Sequence, residues 1–103
     1  MKVVTREVAK KFGFTEEQIL GRQKWHPLGT ARHLAMMISV ESQPEKRMVA
    51  IAKYFKRDHS TLVHARKAIL RYSATEPKLR RLVDFFRRKF VKDLTPRTRG
   101  RKK

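Results

Sequence analysis

The stretch that decides the fold of this chain is Arg57-Asp58-His59-Ser60-Thr61-Leu62-Val63-His64-Ala65. It opens a segment, residues 59–72, whose apolar side chains recur at the three- and four-residue spacing of a helix buried on one side. The positions predicted to face inward are Leu62, Ala65, Ile69 and Tyr72. Residues 45–55 repeat this spacing, and a connection of only three residues separates the two segments. A short helix, a tight turn and a longer helix together indicate a helix-turn-helix unit.

Helical periodicity continues on both sides of this unit. The predicted helices cover residues 4–12, 15–20, 30–41, 45–55, 59–72 and 76–94. Thr15 and Gln18 form a capping-box pattern, Thr30 is the expected N-cap of its helix, and Pro77 suits a first helical turn. No segment alternates apolar and polar residues for long enough to predict a sheet. We therefore predict an all-α fold of five or six helices.

The charge of the chain indicates a polyanionic partner. Lys and Arg number 27 against 9 Asp and Glu, which gives a net charge of +18 over 103 residues. Such an excess opposes compaction, so a phosphate backbone or an anionic surface is expected to balance it. A membrane is the weaker candidate, because no apolar run approaches the roughly 20 residues of a membrane span. The opening residues lack a signal-peptide core, so we expect a cytoplasmic, nucleoid-associated protein.

The segment after the turn carries side chains that suit DNA. In helix-turn-helix proteins the first turn of the second helix reaches base edges in the major groove. Here that turn begins with Asp58, His59 and Ser60, which supply hydrogen-bond acceptors and donors for bases. An N-cap role explains Asp58 without DNA, and the two roles are compatible. Farther along the outward face, His64, Lys67 and Arg71 suit phosphates, although a solvated face explains the same charges.

Residues 57–65 resemble the signature of the C-terminal DNA-binding domain of the bacterial DnaA family, which reads Arg-Asp-His-Ser/Thr-Thr-Val-x-His-Ala. Leu62 is the one departure. A second stretch is similar to the family sequence Pro-Arg-Gln-x-Ala-Met-Tyr-Leu, and it reads Ala31-Arg32-His33-Leu34-Ala35-Met36-Met37-Ile38. The likeness covers about residues 5–71. It implies a fold related to that of the Trp repressor and the recognition of short duplex sequences called DnaA boxes. The helix predicted over about residues 75–94 lies beyond the likeness and is an addition to this fold.

The resemblance also implies roles for individual residues. It places Asp58, His59 and Ser60 against bases in the major groove. It implies a basic loop that reaches the minor groove, where Lys24 or Arg22 would read bases. Together with the outward-facing cations, the predicted phosphate contacts are Arg32, Arg57, Thr61, His64, Lys67 and Arg71.

Three departures from the family pattern concern the turn and the loop. The Gly that usually precedes Arg57 is absent, and a non-Gly residue in a left-handed turn costs about 1–2 kcal/mol. His33 replaces a Gln, which removes an amide contact. The loop gains Trp25 and loses arginines. These changes bear on the shape of the turn and on the bases that the loop prefers.

Other features exclude some functions and leave alternatives open. The chain has no Gly-x-x-x-x-Gly-Lys-Ser/Thr loop, so we expect a stand-alone DNA-binding protein with no ATPase module and no nucleotide. Scattered carboxylates and the absence of cysteine indicate no enzyme, no metal and no cofactor. The expected role is replication initiation, its regulation, or transcription control. The alternatives are non-specific nucleic-acid binding and an adaptor role.

The C-terminal third carries the adaptor alternative. Residues 76–94 are predicted to form an amphipathic helix in which Phe85 falls outside the buried stripe. This extra apolar residue suits a protein partner or self-association, although a wide buried face explains it as well. We expect one helical domain over residues 1–94 and a flexible basic tail over residues 95–103. The tail would add affinity for nucleic acid without sequence choice. On this view, deleting residues 74–103 leaves the DNA preference intact.

Overall fold

A computed structural model of the chain describes residues 2–23, 27–43 and 48–91. The helices are α1 (Lys2–Phe12), α2 (Glu16–Leu20), α3 (Leu28–Ser42), α4 (Met48–Phe55), α5 (His59–Ser73) and α6 (Pro77–Phe90). These ranges contain no β-strand. The predicted all-α fold is therefore confirmed, with the helix-turn-helix unit formed by α4 and α5.

Local sequence signals account for several of the helix ends. Gly13 follows α1 with a φ of 80°, in the left-handed region that glycine adopts without steric cost. Thr15 caps α2, because its Oγ1 accepts from the Gln18 amide at 3.1 Å while the Gln18 side chain accepts from the Thr15 amide at 2.9 Å. This reciprocal pair is the predicted capping box. Pro77 occupies the first turn of α6, as predicted.

Two details of the sequence-based prediction are wrong. Helix α3 begins at Leu28, because the Pro27 carbonyl accepts from the Ala31 amide at 2.9 Å, and Thr30 therefore lies inside the helix. Tyr72, predicted to face inward, is 50% exposed. It shares the stripe of Ile69, but the last turn of α5 lies at the rim of a groove between α1, α3 and α6. The predicted extension of the last helix over residues 92–94 and the basic tail lie outside the described residues.

Helix α3 lies at the centre of the bundle and packs against all five other described helices. Almost every turn of it is buried, with Leu34, Met37 and Ile38 fully inaccessible to solvent. A helix that is apolar nearly all round needs partners on every side. This explains why the flanking helices surround α3.

Helix α6 completes the core. Its inward face contributes Leu79, Val83 and Phe86, and Phe86 is fully buried. It packs on both α3 and α5, so deleting residues 74–103 would expose part of the core. The structure therefore argues against the expectation that the remaining helices keep their DNA preference after this deletion. Among the described helices, none has the length and apolar character needed to cross a membrane.

Candidate nucleic-acid interface

The first turn of α5 presents its polar side chains to solvent. Asp58, His59 and Ser60 are all exposed, and the apolar side of the same helix is buried through Leu62 and Ala65. The helical period separates the two sides of α5, because it places residues 62 and 65 toward α3 and residues 59 and 60 away from it. The three residues predicted to read bases in the major groove thus share one open surface at the N-terminus of α5.

The turn before α5 keeps the shape that glycine usually provides. Lys56 has a φ of 58°, in the left-handed region that favours glycine, so the turn keeps its left-handed residue although the missing Gly was expected to affect its shape. Its amide donates to the Lys53 carbonyl at 3.0 Å, and the Arg57 amide donates to the Ala52 carbonyl at 2.9 Å. This pair of bonds is a Schellman motif, which satisfies carbonyls at the end of α4. The strained residue therefore sets the angle at which α5 leaves the turn.

The carboxylate of Asp58 is not used to cap α5. The residue takes the extended backbone of an N-cap, and its carbonyl accepts from the Thr61 amide at 3.0 Å. Its side chain, however, makes no capping hydrogen bond. Asp58 therefore occupies the N-cap position, but its carboxylate stays available to accept a hydrogen bond from a donor outside the protein. A carboxylate at a helix N-terminus also faces the positive end of the helix dipole.

Three of the predicted phosphate-binding side chains extend this surface along α5. His64, Lys67 and Arg71 are exposed, while Thr61 is half-buried beside the first turn. His64 packs against His33 of α3, with the ring centroids 6.1 Å apart and the rings perpendicular. In the sequence, His33 differs from the family pattern only as a replacement for Gln. The signal in the sequence was that His33 follows Arg32 in the stretch similar to the family pattern. The structure shows that this stretch packs beside the exposed side of α5.

Arg32 has a structural role that the sequence analysis did not foresee. It is 5% exposed, and its guanidinium donates to three carbonyl oxygens. The distances are 2.6 Å to Ile19, 2.9 Å to Gln18 and 2.7 Å to Gln23. The first two carbonyls belong to the last turn of α2, where a cation is favoured. A phosphate contact from Arg32 stays a prediction, and its burial and internal bonds favour a structural role.

Arg57 also binds backbone carbonyls. One terminal nitrogen donates to Phe55 at 3.1 Å and Lys56 at 3.2 Å, and the other donates to Gly21 at 2.6 Å. It is only partly buried, so its phosphate contact stays a prediction as well. The two arginines together hold residues 21–23 against the helix-turn-helix turn.

Arg22, Arg32 and Arg57 form a cluster of like charges. Burial lowers the pKa of Arg32, and the neighbouring Arg57 lowers it further. Burial also lowers the pKa of Arg57, with a second contribution from Arg22. The ion pairs found among the described residues involve other cations. The cluster is therefore electropositive, and an anion such as a phosphate would relieve its mutual repulsion.

The other predicted site residue of the loop, Lys24, lies outside the described residues, as does Trp25. Arg22 is described and exposed. In the described part of the chain, no group of three or more His, Asp and Glu residues has the spacing to hold a metal ion.

Comparison with known proteins identifies the unit. The family model described as the bacterial DnaA protein helix-turn-helix matches residues 1–69, about two-thirds of the chain. The chain belongs to the DnaA helix-turn-helix family. The matched residues contain α1 to α4 and most of α5, so the α4–α5 unit is the helix-turn-helix of a DnaA-type DNA-binding domain.

Two curated relatives extend the match. The chain is 25% identical over 91 residues to the chromosomal replication initiator protein DnaA of Mycoplasma capricolum, covering 88% of this chain and 20% of the relative. It is 29% identical over 87 residues to the protein of the same name from Deinococcus radiodurans, covering 84% and 18%. The chain thus spans about a fifth of the length of these DnaA proteins. Matches of this length cannot end at residue 69, so the likeness continues into α6.

Proposed function

We propose that this DnaA-type domain binds a DnaA-box-like duplex sequence-specifically, with the first turn of α5 in the major groove. The observation that carries the proposal is the joint exposure of Asp58, His59 and Ser60 at the start of α5, with the Asp58 carboxylate free of a capping bond. A helix terminus that presents acceptors and donors to solvent suits base edges. The curated relatives are named as chromosomal replication initiators, which supports a role in replication initiation or its regulation. Transcription control stays a further proposal.

Phosphate contacts would flank this base-reading turn. His64, Lys67 and Arg71 follow it along the exposed side of α5, and the net charge of +18 favours a phosphate backbone. We expect Arg22, which is exposed and follows the Gly21 carbonyl bound by Arg57, to approach the minor groove. If the domain neutralises about six phosphates, log affinity falls against log salt concentration with a slope near −5. Lys67→Ala is expected to make that slope shallower by about 1.

Fluorescence anisotropy on two duplexes tests the proposal. One duplex contains a DnaA box and the other contains the same bases shuffled, both at about 150–200 mM salt, where non-specific contacts weaken. Asp58→Ala and His59→Ala are each expected to cost about 1–3 kcal/mol on the DnaA-box duplex alone. Asp84→Ala, on the exposed side of α6, is the matched control because it removes a negative charge just as Asp58→Ala does. Equal wild-type affinity for the two duplexes would contradict sequence-specific binding.

Non-specific nucleic-acid binding is the second candidate, and the charge of the chain is what favours it. It predicts that Asp58→Ala strengthens binding to both duplexes, since a negative charge near phosphates is removed. Sequence-specific binding predicts the opposite sign on the DnaA-box duplex. The sign of this one change therefore separates the two candidates.

A further inference from the structure

Arg32 and Arg57 connect two elements that are distant in the sequence. Arg32 lies on α3 and binds the end of α2 and Gln23, and Arg57 lies in the turn before α5 and binds Gly21. Both therefore converge on residues 21–23, the segment that carries Arg22. The bonds to Gly21 and Gln23 measure 2.6 and 2.7 Å, which are short for N–H···O bonds and typical of charged donors.

We propose that Arg32 and Arg57 are positioning residues that fix the Arg22 segment relative to the first turn of α5. The inference rests on the proposed function, because it concerns how two base-reading elements keep one spacing on the duplex. Arg57 is the direct link: the same guanidinium binds the end of α4 and the carbonyl of Gly21. Arg32 anchors the other end of the segment through Gln23.

The chemistry of the contacts explains why arginine is required at both positions. Each guanidinium donates to several carbonyls in different directions, which a planar fork of five N–H groups permits. A lysine keeps the charge but presents a compact ammonium on a flexible stem, so it cannot hold the same carbonyls together. Every acceptor is a backbone oxygen, and the bonds to Gly21 and Gln23 therefore attach the backbone of residues 21–23 to the turn before α5 and to α3. The contacts therefore fix the position of this segment.

The electrostatics support a positioning role over a role in stability alone. Burial lowers the pKa of both guanidinium groups, Arg57 lowers that of Arg32 further, and Arg22 lowers that of Arg57 further. Carbonyl oxygens offset part of this repulsion, but no carboxylate among the described residues pairs with Arg32 or Arg57. A neutral hydrogen-bonding pair would connect the segments without that cost. The arrangement keeps a concentrated positive charge where Arg22 approaches DNA.

The first test measures the position of the segment without DNA. Because the chain has no cysteine, spin labels at Gln23→Cys and Val63→Cys report one distance between the Arg22 segment and α5. We expect a narrow distance distribution in the otherwise unchanged protein and a broader or displaced one in Arg57→Lys. Arg80→Lys, an exposed change on α6, is the control and is expected to leave the distribution narrow. An Arg57→Lys distribution as narrow as the control, with the same centre, overturns the inference.

The second test measures the consequence for DNA reading. Duplexes selected from a random pool define the preferred bases, and the preferences lost in Arg22→Ala identify the bases that Arg22 reads. Arg57→Lys is expected to weaken preference at these bases by about 5- to 150-fold, the range for one lost base contact, while the bases read by α5 keep theirs. Melting temperatures of both Lys variants check that the bundle stays folded. Retained preference at the Arg22 bases overturns the inference even if the labels move.

The outcomes separate this inference from the function on which it rests. If the wild-type protein selects no preferred bases, the proposed sequence-specific function fails, while the spin-label result still decides whether Arg57 positions the segment. If preferred bases appear and Arg57→Lys changes neither them nor the labels, the function stands and the positioning role fails. Arg32→Lys repeats both measurements from the other end of the segment.

Discussion

Arg87 and Glu41 form a two-point ion pair that fastens α6 to the C-terminal end of α3. The Arg87 Nε donates to one Glu41 oxygen and Nη2 donates to the other, both at 2.8 Å. Arg66 of α5 adds a third bond to the same carboxylate at 3.1 Å. One acidic residue thus joins three helices in a strongly basic chain. Burial raises the pKa of Glu41, but the hydrogen bonds and charges of Arg87 and Arg66 outweigh it, and the pKa is lowered overall.

Glu41→Gln is expected to destabilise the domain by about 1–3 kcal/mol, because two arginines lose a charged acceptor at a site that is mostly buried. Since the folded pKa lies below the ordinary value of 4.5, the contribution of Glu41 is present above that pH and is lost as pH falls through the folded pKa. Urea denaturation at neutral and acidic pH measures both effects. Glu7→Gln, in the exposed pair with Lys89, is the control and is expected to change stability little. Equal effects of the two changes would contradict this account.

Lys56→Gly is expected to stabilise the domain by about 1 kcal/mol. The residue holds a φ of 58°, and glycine removes the steric cost of that conformation. Gly13 occupies the same position of the Schellman motif after α1, with a φ of 80° and no heavy atom within 4 Å of an added Cβ. Gly13→Ala therefore isolates the backbone cost and is expected to destabilise by a similar amount. Thermal denaturation of the two variants checks that the signs are opposite.

Phe86→Ala and Phe85→Ala separate the two sides of α6. Phe86 is fully buried, so its truncation is expected to cost about 3–5 kcal/mol, a large share of the stability of a small domain. Phe85 is 44% exposed, and its ring contacts the ammonium groups of Lys11 and Lys89. Its truncation is expected to cost no more than about 1 kcal/mol. Urea midpoints of the two variants measure the difference.

The Phe85→Ala variant also tests the alternative that the chain is an adaptor which binds another protein. The partial exposure of Phe85 agrees with its predicted position outside the buried stripe of α6. A protein partner on this side of α6 stays a prediction. Phe85→Ala tests it in a folded protein, which deletion of residues 74–103 does not. Light scattering of the wild-type protein and this variant would show any self-association that depends on Phe85.

His33→Gln is expected to reduce the pH dependence of stability. Burial lowers the pKa of His33 from its ordinary value of 6.5, and His64 and Arg32 lower it further. The unfolded chain then binds the proton more readily, so stability falls as pH drops below about 6.5 and recovers as pH rises. Denaturation at about pH 5 and about pH 7.5 measures this slope. Both pH values lie above the range in which Glu41 is protonated in the folded protein. An unchanged slope in the variant would show that other groups carry it.

The sequence was informative where a local rule decides the structure. Helical spacing predicted six segments that the structure contains, and the Thr15–Gln18 capping box and the turn at Gly13 are local backbone signals. Exposure of Asp58 and His59 followed from their phase relative to Leu62. Each of these features depends on residues within about one helical turn, so a single chain segment contains all the information.

Only the tertiary structure decided which distant groups meet. Arg32 and Arg57 look like surface cations in the sequence, yet they bind carbonyls 9 to 36 residues away. Glu41 meets Arg87 across 46 residues. Tyr72 shares a helical stripe with buried residues but is half exposed, because none of the described helices covers it fully. The spacing of apolar residues shows which side of a helix faces the core. Which residues are buried or paired depends on where the other helices end. The packing of the described helices around α3 sets those positions.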